Sequence, residues 1–248
     1  MNSYIFSGKV LPERTNVNIT PIEVKMEAID AGISSTANVS IIASQVSVVI
    51  YTNSDSDIWT LKNAVEYLVR GLVDAFGYLS GRGYDIEITS VVNYEGKYTV
   101  FGVGMSELEK SQNDRSSSFQ QLLTAMDKSQ NLHRVFGDLR EAIRSPHDAG
   151  FLCYRAIENI HQSFMKEKDD DAKAWENLRK ALLIDKSWIF QVKEFADPVR
   201  HGGTVYISGE KRILIMQHTW KLVDRFCLYV YGDFKPLSEG EFDLLKEA

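Results

Sequence analysis

SELEKSQNDRSSS, residues 106–118, decides how this chain is divided. Leu108 is its one large apolar side chain. Ser, Asn and Asp favour loops because their short polar side chains compete for local backbone hydrogen bonds. The stretch also separates two kinds of apolar pattern. Upstream, apolar residues alternate with polar ones, the period of a half-buried strand. Downstream, they recur every three or four residues, the period of a helix face. The chain therefore reads as an α+β domain over 1–110 and a helical domain over 118–248.

In the first half, YIFSGKVL (4–11), VNITPIEVKMEAI (17–29), YDIEITSVV (84–92) and KYTVFGV (97–103) read as strands, the last two joined through Tyr94, Glu95 and Gly96. The second changes parity at Pro21, the mark of a bulge or an edge strand. VSIIASQVSVVIYT (39–52) reads as one strand with an extra residue near Ser44–Gln45. A single helix interrupts the strands: Asp57 caps it, Leu61, Val65, Leu68, Leu72, Phe76 and Leu79 share a face, and Gly81 ends it. The expected fold is an antiparallel sheet with one long helix.

The second half reads as all-α. NLHRVFGDLREAIR (131–144) is a helix, and Ser145 with Pro146 is expected to start the next. AKAWENLRKALL (172–183) and SWIFQVKEFA (187–196) follow. The longest helix runs from Ser208 to Tyr231, stopped by Gly232. Its apolar stripe is wide enough to suggest burial on two sides, one of them by a second copy of the chain. On that reading Trp220, Phe226 and Tyr229 are the interface candidates of a homodimer.

Composition narrows the function. The 248 residues are 44% hydrophobic and 25% charged, as in soluble globular proteins. Cys153 and Cys227 make no disulfide framework, and MNSYIFSGKVLPE lacks the basic and apolar regions of a leader, so the protein reads as cytoplasmic. VSIIASQVSVVIY (39–51) is too short to span a bilayer, and no membrane partner is expected. The net charge is −6; residues 1–117 hold 9 Lys and Arg against 14 Asp and Glu. That balance argues against double-stranded DNA as a partner.

Familiar catalytic patterns are missing. The glycines of GYLSGRGYD (77–85) follow a helix instead of leaving a strand, and no Gly-Lys-Ser/Thr follows them. EKDDD (167–171) suits a helix N-terminus better than a metal. The five histidines show no zinc spacing, and no nucleophile elbow occurs, so neither metal nor cofactor is expected.

FADPVRHGG (195–203) remains. Asp197 and Pro198 are expected to break the helix and cap a short turn, which Gly202 and Gly203 terminate. Arg200 and His201 lie side by side in that turn and are the candidate catalytic residues.

CYRAIENIHQSF (153–164), AWENLRKAL (174–182) and FADPVRHGG together make residues 120–235 resemble the HEPN (higher eukaryotes and prokaryotes nucleotide-binding) superfamily. The resemblance implies a helical bundle that often dimerises. In active members it implies metal-independent RNA cleavage by an Arg and a His with four to six residues between them. With His201 as that His, the Arg position falls on Glu194, Phe195 or Ala196, and none is Arg. Ala196 is the best-placed vacancy, since Asp197 then fits the polar residue that follows. The motif is degenerate. Arg155 with His161 and Arg212 with His218 satisfy the bare spacing, yet six residues apart they lie on different helix faces.

The chain thus reads as a non-enzymatic or degenerate HEPN-like interaction and dimerisation protein, with RNA or a protein as partner, whose α+β domain lies outside the resemblance and is expected to recognise another macromolecule or a small ligand. The alternatives are a metal-independent endoribonuclease of toxin or phage-defence type, and a small-molecule binder using the N-terminal domain. Limited proteolysis is expected to cut within 106–118 and release a second fragment that is helical by circular dichroism. Resistance of that stretch, or a strand-rich second fragment, would contradict the division.

Overall fold

Ala43 and Ser44 both take the left-handed backbone conformation, at φ 49° and 64°. Two successive left-handed residues make the tight turn whose twist matches a hairpin. In a computed structural model this turn joins β3 (Ile33–Ile42) to β4 (Gln45–Thr52). The expected single strand over 39–52 is therefore corrected to the two arms of a hairpin, with Ile41 opposite Val46 and Val39 opposite Val48. The change of parity comes from a chain reversal, not an inserted residue. The structure describes residues 2–28, 33–53, 57–102, 104–110, 119–165, 171–203 and 207–246.

The chain forms two units, Met1–Val103 and Gly104–Ala248. In the first, β1 (Asn2–Leu11), β2 (Ile19–Ala28), β3, β4, β5 (Asp85–Val92) and β6 (Tyr98–Val100) form one antiparallel sheet in the order β2-β3-β4-β1-β5-β6. Pro21 lies on the edge strand β2, where the register shifts between Ile19 and Ile22, as its missing N–H requires. One sheet face is buried, with Phe6, Val10, Val39, Val48 and Ile50 on it. Helix α1 (Ile58–Ser80) buries Leu61, Val65, Val69 and Val73. Asp57 accepts hydrogen bonds from the N–H groups of Trp59 and Thr60, and Gly81 ends the helix at φ 63°. The buried face steps by fours, so Leu79 falls off it and is exposed.

The second unit contains α2 (Ser106–Lys110), α3 (Phe119–Lys128), α4 (Asn131–Arg144), α5 (Ala149–Gln162), α6 (Asp171–Leu182), α7 (Lys186–Arg200) and α8 (Gly209–Tyr231). Leu108 is buried in the core of this unit, which draws 106–110 into a helix. The rest of the polar stretch, 111–118, lies outside the described residues, as do 167–170 of the acidic run. Helix α5 starts later than Ser145 and Pro146 suggest. Its first residue is Ala149, and the Ser145 hydroxyl is engaged with the Asp148 carboxylate at 3.0 Å.

Helix α8 is the axis of the unit. It packs against α2, α3, α4, α5, α6 and α7, so its wide apolar stripe is covered from within. Phe226 is fully buried, at 0 % exposure, which corrects its assignment as an interface residue. Tyr229 stacks on Phe164 at 5.2 Å, and Trp220 packs half-buried against the same core.

Two buried arginines of α8 complete the termini of other helices. Arg212 donates to the carbonyls of Ala142 (3.1 Å) and Ile143 (2.5 Å), in the last turn of α4. Arg225 donates to the carbonyls of Leu182 (3.0 Å) and Leu183 (2.6 Å) at the end of α6, and also to that of Asp243. Terminal carbonyls have no partner within their own helix, and a cation there also answers the helix dipole. Cys153 and Cys227 are buried and unpaired, and desolvation pushes both thiols up to about 12. At neutral pH neither is a nucleophile. Among the described residues, no helix is long and apolar enough to cross a membrane.

Replacing Arg225 leaves buried carbonyls without donors. Arg225→Met is expected to destabilise the helical unit by about 3 kcal/mol, read as a lowered urea midpoint. An unchanged midpoint would show that water replaces the guanidinium at no cost.

Candidate functional site

Helix α7 runs unbroken from Lys186 to Arg200, with Pro198 inside its last turn. The expected break at Asp197–Pro198 is thereby corrected. Proline removes one helical N–H donor, but here only one turn remains to be lost. Burial of Val192 and Ala196 holds the preceding turn in place. Asp197 is an ordinary helical residue and caps nothing.

The end of α7 is a paired-glycine terminator. The Gly203 N–H donates to the Pro198 carbonyl at 2.8 Å, and the Gly202 N–H to that of Val199 at 3.1 Å. Gly202 sits at φ 81°, which a side chain would strain. This double bond pattern satisfies carbonyls that the helix leaves open. It accounts for both glycines without a ligand. His201 is the C-cap residue and is exposed.

Arg200 turns back across the unit instead of outward. Its guanidinium lies 3.2 Å from Glu158 on α5 and 3.7 Å from Asp197, and 5.5 Å from the centre of the Tyr154 ring. Two carboxylates and an aromatic face thus hold this cation. Ala196, the best-placed vacancy for a second arginine, is fully buried and faces the core. A longer side chain there would have no route to a substrate.

Helices α5 and α7 meet closely at Gly150. A Cβ on Gly150 would lie 2.8 Å from the Phe195 Cβ and 2.9 Å from its carbonyl oxygen. The contact brings two polar triads face to face. Tyr154, Glu158 and His161 recur at i, i+4, i+7 on α5, and Lys193, Asp197 and Arg200 do so on α7. Sequence reasoning singled out only Arg200 and Asp197 from α7. The shared spacing is the signal that could have found Tyr154, Glu158 and Lys193 and joined His161 to them.

Two clefts flank the Arg200–Glu158 pair. The first, of ≈ 410 Å³, is lined by Tyr154, Glu158, His161, Gln162, Asp171, Trp175 and Lys193. The second, of ≈ 510 Å³, is lined by Asp148, Phe151, Leu152, Arg155, Val199 and Arg200. Burial pushes the Tyr154 hydroxyl up to about 12, with Glu158, Asp197 and Asp171 adding to the rise and Arg200 opposing it.

His161 is 3 % exposed at its side chain and stacks on Trp175 with ring centres 4.0 Å apart. Its Nε2 makes no hydrogen bond, and the nearest carboxylate oxygen, Asp171 Oδ1, is 3.6 Å away. Arg155 points elsewhere: it donates to Asp138, which also receives the Asn159 amide at 2.8 Å, and lies over the Phe151 ring. The pair Arg212 and His218 is likewise divided, Arg212 capping α4 and His218 stacking on Trp188 at 3.8 Å. Neither spacing-matched pair converges on a common point. Among the described residues, no group of three His, Cys, Asp or Glu side chains is placed to hold a metal.

Residues 4–101 match the family model described as Domain of unknown function (DUF8168) N-terminal domain, and residues 117–231 match its C-terminal domain. The matches fall one in each unit of the fold. No curated protein and no solved structure gives a match.

The Gly150 approach carries a stability prediction. Gly150→Ala is expected to force α5 from α7 and cost about 1–3 kcal/mol, measured by thermal or urea unfolding. Stability equal to wild type would mean that the two helices separate freely.

Proposed function

We propose that this protein works by binding and not by catalysis, as a degenerate HEPN-like helical unit joined to an α+β recognition unit. The observation that carries this reading is the state of Arg200. Phosphodiester cleavage without metal needs a proton-transfer group and a cation converging on one phosphate. Arg200 is engaged by Glu158 and Asp197, and both carboxylates repel a phosphate. His201 sits exposed beyond the helix end. Pairing of two copies about a two-fold axis and a cytoplasmic site of action belong to the same proposal; two free, buried thiols fit a reducing compartment.

One observation favours the endoribonuclease reading. Arg155 and Arg200, from different helices, line the same ≈ 510 Å³ cleft. Each already has a carboxylate partner, which lowers its value to a phosphate.

The test incubates purified protein with mixed RNA in the presence of chelator, beside His201→Ala and Arg200→Ala. No cleavage above background is expected from any of the three. Cleavage by the wild type that survives chelation and disappears in both variants would establish the nuclease instead.

A further inference from the structure

The polar cleft between α5, α6 and α7 has a feature that the paired residues beside it lack. His161 is almost wholly buried, lines the cleft, and has no hydrogen-bond partner on Nε2. A buried polar atom is costly to leave without a partner, so such an atom at the wall of a cavity points to a ligand that completes it. Its ring is fixed by stacking on Trp175, so Nε2 cannot swing away without losing that contact.

The charges around it decide the ligand's sign. Asp171 stands beside Nε2 and pairs with no lysine or arginine among the described residues. Glu158, one helical turn from His161, lines the same cleft. Lys193 is the one cation in the lining, and it leans toward Asp197 at 3.9 Å and over the Phe190 ring at 5.6 Å. An anion would meet the Asp171 carboxylate; an ammonium group would find that carboxylate and an imidazole nitrogen 3.6 Å apart, both within reach of one nitrogen, and the imidazole accepts when its proton sits on Nδ1. The ≈ 410 Å³ volume suits a small organic molecule and not a polymer.

We propose that this cleft binds a small organic cation, an alkyl diamine or polyamine, with one ammonium group donating to His161 Nε2 and Asp171. The assignment extends the binding reading to a ligand class and does not depend on the HEPN resemblance. The RNA assay and the titration below therefore fail separately.

Isothermal titration calorimetry of the full chain tests it with 1,4-diaminobutane and spermidine, against the dicarboxylate succinate and inorganic phosphate. Saturable binding of at least one amine at one site per chain is expected, with no saturable heat from either anion. Asp171→Asn, at a position 72 % exposed at its side chain, removes charge without touching the core and should weaken binding about tenfold or more. His161→Phe keeps a ring against Trp175 and removes the acceptor, with a similar loss expected. Circular dichroism melts show whether each variant is folded, and Asp171→Asn decides the matter if His161→Phe is not. Absence of saturable amine binding, amine binding unchanged by Asp171→Asn, or preference for either anion would each overturn the proposal.

Discussion

The helical unit depends on one arrangement: a long helix packed against six others that carries charge into the core at two points. Arg212 and Arg225 are thirteen residues apart on α8 and reach the carboxyl ends of α4 and α6. Burying a guanidinium is costly, and desolvation lowers the Arg225 pKa. The cost is offset because each group meets carbonyl oxygens that would otherwise be buried without donors. A Lys could not serve equally, since the planar fork of Arg reaches two or three carbonyls at once. The same contacts set where α4 and α6 stop, and so where the segments leading into α5 and α7 begin. Arg225 further ties in the chain end, where Ile184 bridges to Leu245. Apolar packing alone fixes helix positions along their axes weakly; these directional bonds fix them sharply.

Much of this architecture was legible from the residues. Asp57 and Gly81 bound α1, Ser208 and Gly232 bound α8, and Pro21 marks a bulged edge strand because each acts through its own backbone. Local chemistry of this kind does not need the rest of the chain. The misread elements needed more. Ala43 and Ser44 are poor advertisements for a left-handed turn, which usually carries Gly or Asn, so a hairpin looked like one bulged strand. Ile33–Asn38 holds Ser34, Ser35 and Thr36, too polar for a strand signal, and becomes one only by pairing on both sides. The width of the α8 stripe was read correctly, but its cause lies in six other helices that no periodicity could place.

The region around residues 195–203 was legible in its ending and not in its direction. Two glycines after Arg-His read as a terminator, and they are one. That Pro198 sits within the helix could not be read locally, because the burial of Val192 and Ala196 overrides its preference. The orientation of Arg200 depends on Gly150, forty-five residues before Phe195, letting α5 come close. A search for spaced Arg and His residues therefore fixed on 201 and set 161 aside with Arg155, because the surroundings of His161 come from α6 and α7.

The two triads explain why one end of the α5–α7 seam differs from the other. At the Arg200 end, opposite charges face each other across the helices and satisfy one another. Half-exposed pairs of this kind add little stability, but they leave no group needing a partner. At the His161 end the facing helix offers Lys193, drawn aside by Asp197 and Phe190, while α6 offers Asp171 just beyond hydrogen-bond distance. A seam built only for structure would close both ends alike, since an unmet buried nitrogen costs more than a surface pair returns. Here the closed end holds the helices in register, and the open end keeps a fixed, buried imidazole nitrogen 3.6 Å from a carboxylate. For the proposed ligand, preorganisation of that sort would lower the ordering cost of binding, because the groups that would meet it are already in place.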